Sequence, residues 1–130
     1  MLHRRNGFTL LEMIIAIVIL VVVATTFGRF AGTFSKAMAQ SSIRAIAVGV
    51  GTGRLELVRA DPRYTRLVTL YGTGPGSDTT GFPNYPGMRR TTKVVRDLAG
   101  GRDISTITVR VWDPAFKDTV SVTALVASPQ

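Results

Sequence analysis

RRNGFTLLE, at positions 4–12, is the stretch that decides the fold, because it joins a short basic leader to a long apolar run. The leader ends at Gly7, Phe8 follows, and Glu12 is the one carboxylate at the start of the run. A carboxylate in mid-bilayer costs about 2.5–3.5 kcal/mol on insertion scales. The pattern therefore predicts a partner for Glu12, and an α-amino group made by cutting between Gly7 and Phe8 would serve on a neighbouring chain.

The apolar run covers residues 8–28, and its few polar residues are Thr9, Glu12, Thr25 and Thr26. A helix of this length spans about 31 Å, which is enough to cross the hydrocarbon core of a bilayer. Many of its residues are β-branched, which weakens a helix in water. In lipid the backbone must form its hydrogen bonds internally, so we expect a transmembrane helix.

Three interpretations of this N-terminus compete. A secretory signal peptide would be cut after Ala39, but the apolar run ends near Ala24 and the gap contains Arg29 and Lys36. A plain membrane anchor leaves Glu12 and the Gly-Phe junction without a reason. The third interpretation is a leader that is cut before the apolar run, and it explains both features.

The order of basic leader, Gly7, Phe8, Glu12 and unbroken apolar run resembles the N-terminus of type IV pilins and type II secretion pseudopilins. The resemblance implies that a prepilin peptidase cuts after Gly7 and N-methylates Phe8. It also implies that Glu12 pairs with the Phe8 amine of the next subunit in a helical filament. A buried ion pair of this kind favours specificity of register more than stability.

A long helix is predicted to continue beyond the membrane, as an amphipathic segment over residues 29–61 that ends near Asp61, before Pro62. Its apolar stripe is expected to contain Phe27, Phe30, Phe34, Met38, Ile43, Ile46, Val50 and Leu57. Gly49, Gly51 and Gly53 interrupt this segment and could mark a bend or a close approach to a sheet. We expect the helix to run through them.

Residues 62–130 are predicted to form a small globular domain, with loops over 62–87 and a possible helical turn over 63–71. Three strands follow, over 88–97, 104–112 and 119–127, and the last two alternate apolar and polar residues. The predicted fold class is therefore α+β: a long N-terminal helix, its first half membrane-spanning, packed against a small antiparallel β-meander in a pilin-like arrangement. The leader is residues 1–7 and the filament-core helix 8–28.

Composition excludes several kinds of chemistry. There is no Cys, and the single His lies in the leader, so thiolate and His-based catalysis in the body are excluded. The eight acidic residues are scattered and predict no metal centre; turn chemistry explains Asp113 and Asp118 better than a bound cation. The chain is therefore expected to be non-enzymatic, with no catalytic residues and no cofactor.

The net charge of +8 raises the question of nucleic acid as a partner. Arg89, Arg90, Lys93 and Arg96 cluster on one predicted strand, and Tyr64 and Tyr71 could stack with bases. Alternate residues of a strand point to opposite faces, so the cluster should be divided, with part of it meeting acidic residues of neighbouring subunits. We expect only weak, salt-sensitive binding to DNA.

The C-terminal strands resemble those of I-type minor pseudopilins and related minor pilins, on the segments RRT at 89–91, ITVRVW at 107–112 and VSVTAL at 120–125. This resemblance implies a minor subunit at the tip of a type II secretion pseudopilus. The alternative is a minor pilin of a type IV pilus, used in adhesion, motility or DNA uptake. Implied partners are prepilin peptidase, other pilins or pseudopilins, an inner-membrane assembly platform, and lipid before assembly. The leader would be cytoplasmic and the C-terminal domain periplasmic, with the assembled subunit in a periplasmic pseudopilus or a cell-surface pilus.

Overall fold

The computed structural model describes residues 8–74, 76–116 and 118–128, and over these ranges one long helix precedes a four-stranded antiparallel sheet. The helix α1 is Leu10–Arg59, and the strands are β1 (Asp78–Phe82), β2 (Tyr85–Asp97), β3 (Ile104–Trp112) and β4 (Val120–Ala127). The strands lie in the sheet in chain order. The predicted α+β class, with a long helix packed on an antiparallel meander, is confirmed.

The chain divides into two compact units, and the boundary lies within α1, between Ala39 and Gln40. In the N-terminal unit, every described residue is exposed. Its part of α1 is long and apolar enough to cross a membrane, and it is the one such segment among the described residues.

The C-terminal unit has a conventional core between the end of α1 and one face of the sheet. Ala47 and Val58 of α1 are fully buried, and so are Ile107, Val109 and Val111 of β3. The alternation predicted for β3 is therefore confirmed. The stripe predicted on the helix is wrong at its N-terminal end, because Phe27, Phe30, Phe34 and Met38 are between 56% and 70% exposed. It is also wrong at Leu57, which is 52% exposed. Its neighbour Val58 takes the buried place, because successive helical residues point about 100° apart.

Gly51 lies at a close approach of α1 to the sheet. A Cβ at this position would lie 3.2 Å from a methyl carbon of Val122 and 3.6 Å from one of Val111. Gly49 and Gly53 have open space at the same atom. The helix runs through all three glycines, as predicted, and of the three only Gly51 is packed closely against the sheet.

The predicted three-stranded sheet is wrong, because a fourth strand, β1, lies inside the segment predicted as loop. β1 pairs antiparallel with β2, with Asp78 opposite Thr91. Its register shifts between Thr80 and Phe82, where Gly81 has a φ of 74°. A bulge with glycine at positive φ bends a strand locally, so the sequence around Gly81 resembles a turn.

The helical turn predicted over residues 63–71 is confirmed. It consists of a 3-10 turn (Tyr64–Arg66) followed by a π-helical turn (Val68–Gly72). Asp61, whose side chain is only 5% exposed, accepts hydrogen bonds from Arg63 Nη2 at 2.8 Å and from Tyr71 Oη at 2.6 Å. The Arg63 hydrogen bond, helped by Tyr71, holds the pKa of Asp61 well below its usual range.

Tyr64 ties the 3-10 turn to the sheet. The ring is 7% exposed, and its hydroxyl donates to the Asp103 side chain or backbone, with Oη–O distances of 3.1 and 3.0 Å. Asp103 also accepts from Arg96 Nε at 2.7 Å. This hydrogen bond from Arg96 lowers the pKa of Asp103 below its usual value. Hydrogen bonds to the carboxylates of Asp61 and Asp103 thus hold the segment between the helix and the sheet in place.

Candidate processing and assembly site

The start of α1 is set by a side-chain cap. Thr9 precedes the first helical residue, Leu10, and its Oγ1 accepts a hydrogen bond from the Glu12 N–H at 3.3 Å. The Thr9 carbonyl accepts from the Met13 N–H at 3.2 Å. These contacts satisfy backbone groups that the first turn of a helix otherwise leaves without partners.

Sequence reasoning missed Thr9, although a signal for it was present. Thr9 and Glu12 stand three residues apart, in the S/T-x-x-E spacing of a capping box. A full capping box also contains a bond from the cap residue's N–H to the Glu carboxylate. The described residues show the Thr9 half of this arrangement. Thr9 therefore fixes the residue at which the helix begins. The Glu12 carboxylate forms no ion pair or hydrogen bond within the described residues.

Glu12 lies in the first turn of α1 and is exposed. A negative charge is favourable there, because the unpaired N–H groups of a helix start carry partial positive charge. Phe8 is 78% exposed and precedes the cap by one residue. Phe8 and Glu12 are thus about one turn apart, whereas Gly7 lies outside the described residues.

The rest of the apolar run has few polar groups that would be unfavourable in a lipid bilayer. Thr25 Oγ1 donates to the Val21 carbonyl at 3.0 Å, and Thr26 Oγ1 donates to the Val22 carbonyl at 2.8 Å. Both hydroxyls are therefore satisfied within the helix. Phe8 lines a small apolar cleft with Met13, Ala16 and Ile17. Glu12 is the remaining unsatisfied polar side chain of the described run.

Such a segment, capped, apolar on every side and carrying one acid in its first turn, can enter a lipid bilayer or pack among copies of itself. In either setting a cation beside Glu12 would stabilise its charged form, because an isolated charge in a medium of low polarity is costly. No ion pair involving Glu12 occurs among the described residues. The arrangement is therefore suited to an intermolecular contact.

Comparison with known families agrees with this geometry. Residues 2–27, about a fifth of the chain, match the family model described as "Prokaryotic N-terminal methylation motif". No curated protein and no solved structure was found to match the chain.

The motif supports a place among the type IV pilin-like proteins, whose members are structural rather than enzymatic. It implies processing by a prepilin peptidase and assembly with other pilins. Together with the apolar helix, it is consistent with anchoring in a membrane.

The basic cluster predicted on β2 does not form one surface. Arg89 and Lys93 are exposed, whereas Arg90 and Arg96 are partly buried, as the alternation of the strand predicts. Two of these cations already have carboxylate partners, since Arg89 pairs with Asp78 and Arg96 with Asp103. The expected acidic partners are thus found within the same chain.

The aromatic part of that predicted nucleic-acid surface is also occupied. Tyr64 is buried, and the Tyr71 ring is covered by Arg54, whose guanidinium carbon lies 5.0 Å from the ring centre. Asp113 accepts from the Ala115 N–H at 2.9 Å, as its predicted turn role requires. Among the described residues no cluster of His, Asp or Glu side chains could hold a metal ion.

Proposed function

We propose that this chain is a non-enzymatic structural subunit of a prepilin-type filament. The observation that carries the proposal is the first turn of α1, where Thr9 caps an exposed apolar helix and Glu12 has no partner within the described chain. The methylation motif over residues 2–27 supports the same interpretation. A filament explains Glu12, because the α-amino group of a neighbouring chain would supply the missing cation.

In this proposal the leader is removed between Gly7 and Phe8, and Phe8 becomes the N-methylated terminus. Before assembly, the chain resides in the inner membrane, with residues 8–28 spanning the bilayer and the C-terminal unit in the periplasm. It then enters the filament through an assembly platform. Pairing of Glu12 with the Phe8 amine of the next subunit sets the axial register.

Within this class we favour a minor subunit at the tip of a type II secretion pseudopilus. That choice rests on the resemblance of the segments 107–112 and 120–125 to the closing strands of I-type minor pseudopilins. The alternative is a minor pilin of a type IV pilus. The two differ in the neighbouring genes, which would encode either a secretion system or pilus-retraction machinery.

Processing is tested by mass spectrometry of the protein extracted from membranes. We expect a terminus at Phe8 that carries one added methyl group. A mature protein that begins at Gln40 would establish an ordinary signal peptide instead, and an uncut chain would establish a plain anchor.

Assembly is tested by Glu12→Ala. We expect this variant to be inserted in the membrane at least as well as the parent chain, because the removed charge opposes insertion. Its incorporation into filaments should fall strongly. Glu56→Ala is the matched control, since Glu56 is an exposed acid of the same helix outside the apolar run. Normal incorporation of Glu12→Ala, or equal loss in both variants, would remove the proposed role of Glu12.

A further inference from the structure

The outer face of the sheet, opposite the core, contains an open cleft of about 350 Å³. It is lined by side chains from β2, β3 and the residue before β4: Arg89, Thr91, Arg110, Trp112 and Thr119. The strand register assembles it, because Arg89 is opposite Trp112 and Thr91 is opposite Arg110. A volume of this order is at the lower end of those that hold small ligands.

The two guanidinium groups of this cleft differ in charge compensation. Arg89 Nε lies 3.0 Å from Asp78 Oδ1, so its charge is compensated by a carboxylate of the same chain. Arg110 has no carboxylate oxygen within 4 Å among the described residues. The cleft therefore offers one positive charge without a carboxylate partner, on Arg110, beside the Arg89–Asp78 ion pair.

Trp112 gives the cleft a flat apolar wall. It is 43% exposed, although most of an indole is usually buried in a folded domain. An exposed indole beside fixed polar groups is typical of a binding surface, since one part of the ligand can stack while another forms hydrogen bonds. The hydroxyls of Thr91 and Thr119 add further donors and acceptors at the rim.

We propose that this cleft binds an acidic sugar unit, such as a uronate within a polysaccharide. The apolar face of the sugar ring would stack on Trp112. Its carboxylate would pair with Arg110, because a guanidinium matches a carboxylate in bidentate geometry. The Arg89–Asp78 pair and the threonines would bind ring hydroxyls, which both donate and accept hydrogen bonds.

Charge distinguishes this ligand from a nucleic acid. A polyphosphate prefers several free cations in a row, and its affinity comes mostly from neutralising them. Here Arg89 is already compensated by Asp78, which leaves Arg110 as the one uncompensated cation among the described lining residues. A single carboxylate surrounded by hydroxyls suits the cleft better. This inference does not depend on the role proposed for Glu12.

Trp112 is the only tryptophan of the chain, so its fluorescence reports on the cleft directly. The full chain would be purified in a polyoxyethylene detergent, since glucoside and maltoside detergents carry sugars of their own. It would be titrated with trigalacturonate and with the fully methyl-esterified trimer, which keeps the ring and linkage but lacks the charge. We expect the Trp112 fluorescence to change and saturate as trigalacturonate is added. The methyl-esterified trimer should bind at least about tenfold more weakly.

Two variants test the assignment to Arg110. Arg110→Gln should weaken binding of trigalacturonate about tenfold to a hundredfold, and its circular dichroism should be unchanged because Arg110 is exposed. Lys93→Gln is the matched control: it removes one positive charge from the same face of the sheet, outside the cleft, and should leave the titration unchanged.

Four results would overturn the proposal. One is equal binding of acid and ester, and another is equal loss of affinity in the two variants. The third is tighter binding of an oligothymidylate than of trigalacturonate at physiological salt, which would assign the cleft to single-stranded nucleic acid instead. The absence of any fluorescence change with trigalacturonate would also exclude an acidic sugar from the cleft.

Discussion

The two parts of α1, before and after the boundary at Ala39 and Gln40, differ in what surrounds their apolar side chains. Ile14 and Val21 in the first part are 51% and 55% exposed, whereas Ala47 and Val58 in the second part are 0% exposed. The second part is amphipathic and buries one face against the sheet of its own chain. The first part has no polar residue on any side over residues 13–24, so this stretch requires a membrane or other chains to cover it.

The largest expected effect comes from separating these two parts. A chain that begins at Gln40 should remain soluble without detergent and show mixed helix and strand by circular dichroism, because its core lies wholly within the C-terminal unit. A chain that begins at Arg29 keeps exposed Phe30, Phe34 and Met38 and should self-associate more in sedimentation. A disordered spectrum for the shorter chain would show that its core requires the N-terminal unit.

Truncation of an isoleucine side chain should lower the free energy of unfolding in the C-terminal unit but not in the N-terminal unit. Ile107→Ala should lower the free energy of unfolding of the C-terminal unit by about 2–5 kcal/mol in urea, because the side chain is fully buried. Ile17→Ala, at a position that is 57% exposed, is the matched substitution in the other unit. A comparable loss from Ile17→Ala would break the distinction between the two units.

Substitutions at Gly51 and Gly49 should change the stability of the C-terminal unit by smaller amounts and in opposite directions. Gly51→Leu should destabilise the C-terminal unit by about 1–3 kcal/mol through overpacking against Val111 and Val122. Gly49→Ala, where the added atom meets open space, should stabilise it by up to about 1 kcal/mol through helix propensity. Urea denaturation measures both, and a loss in Gly49→Ala would contradict the observed spacing.

The smallest expected effect is a dependence on acid pH that belongs to the C-terminal unit. The pKa values of Asp61 and Asp103 are lowered by Arg63 and Arg96 respectively. Stability from these groups is fully present above the unfolded-state value near 4, and it is lost as pH falls through the folded-state values. The urea midpoint should therefore be flat from about pH 7 to 5 and fall below about pH 4.

Asp103→Asn serves as the check on that pH profile. Asparagine does not titrate, so the part of the acid-induced loss that belongs to Asp103 should disappear from the variant. A profile below pH 4 that is the same as that of the parent chain would show that Asp103 does not contribute. The midpoint at neutral pH should be lower, because the ion pair with Arg96 is gone.

The sequence predicts those parts of the fold that depend on periodicity. The helix through Gly49, Gly51 and Gly53 and the buried face of β3 follow from spacings of 3.6 and 2 residues. β1 could not be found in this way, because the glycine at positive φ and the bulge interrupt its alternation. Leu57 was misplaced because it lies at the flank of the buried face, where small rotations decide exposure.

The candidate sites also differ in how well they can be predicted from the sequence. The signals at Phe8 and Glu12 are local and can be read from the order of residues. The cleft at Arg110 and Trp112 depends on which residues of β2 and β3 face each other, and the pair Arg89–Asp78 depends on the register of the β1–β2 hairpin. Register is fixed by turns and packing over the whole sheet, which the sequence of one strand does not reveal.

The cap at Thr9 has a consequence for the conformational entropy of assembly. Fixing the backbone of one residue costs about 1–2 kcal/mol at room temperature. Because the helix is capped at Thr9, an amine on Phe8 would be separated from rigid structure by a single flexible residue. Docking of that amine would then require little further ordering of the chain, so most of the attraction between the two charges would remain available for selecting the register.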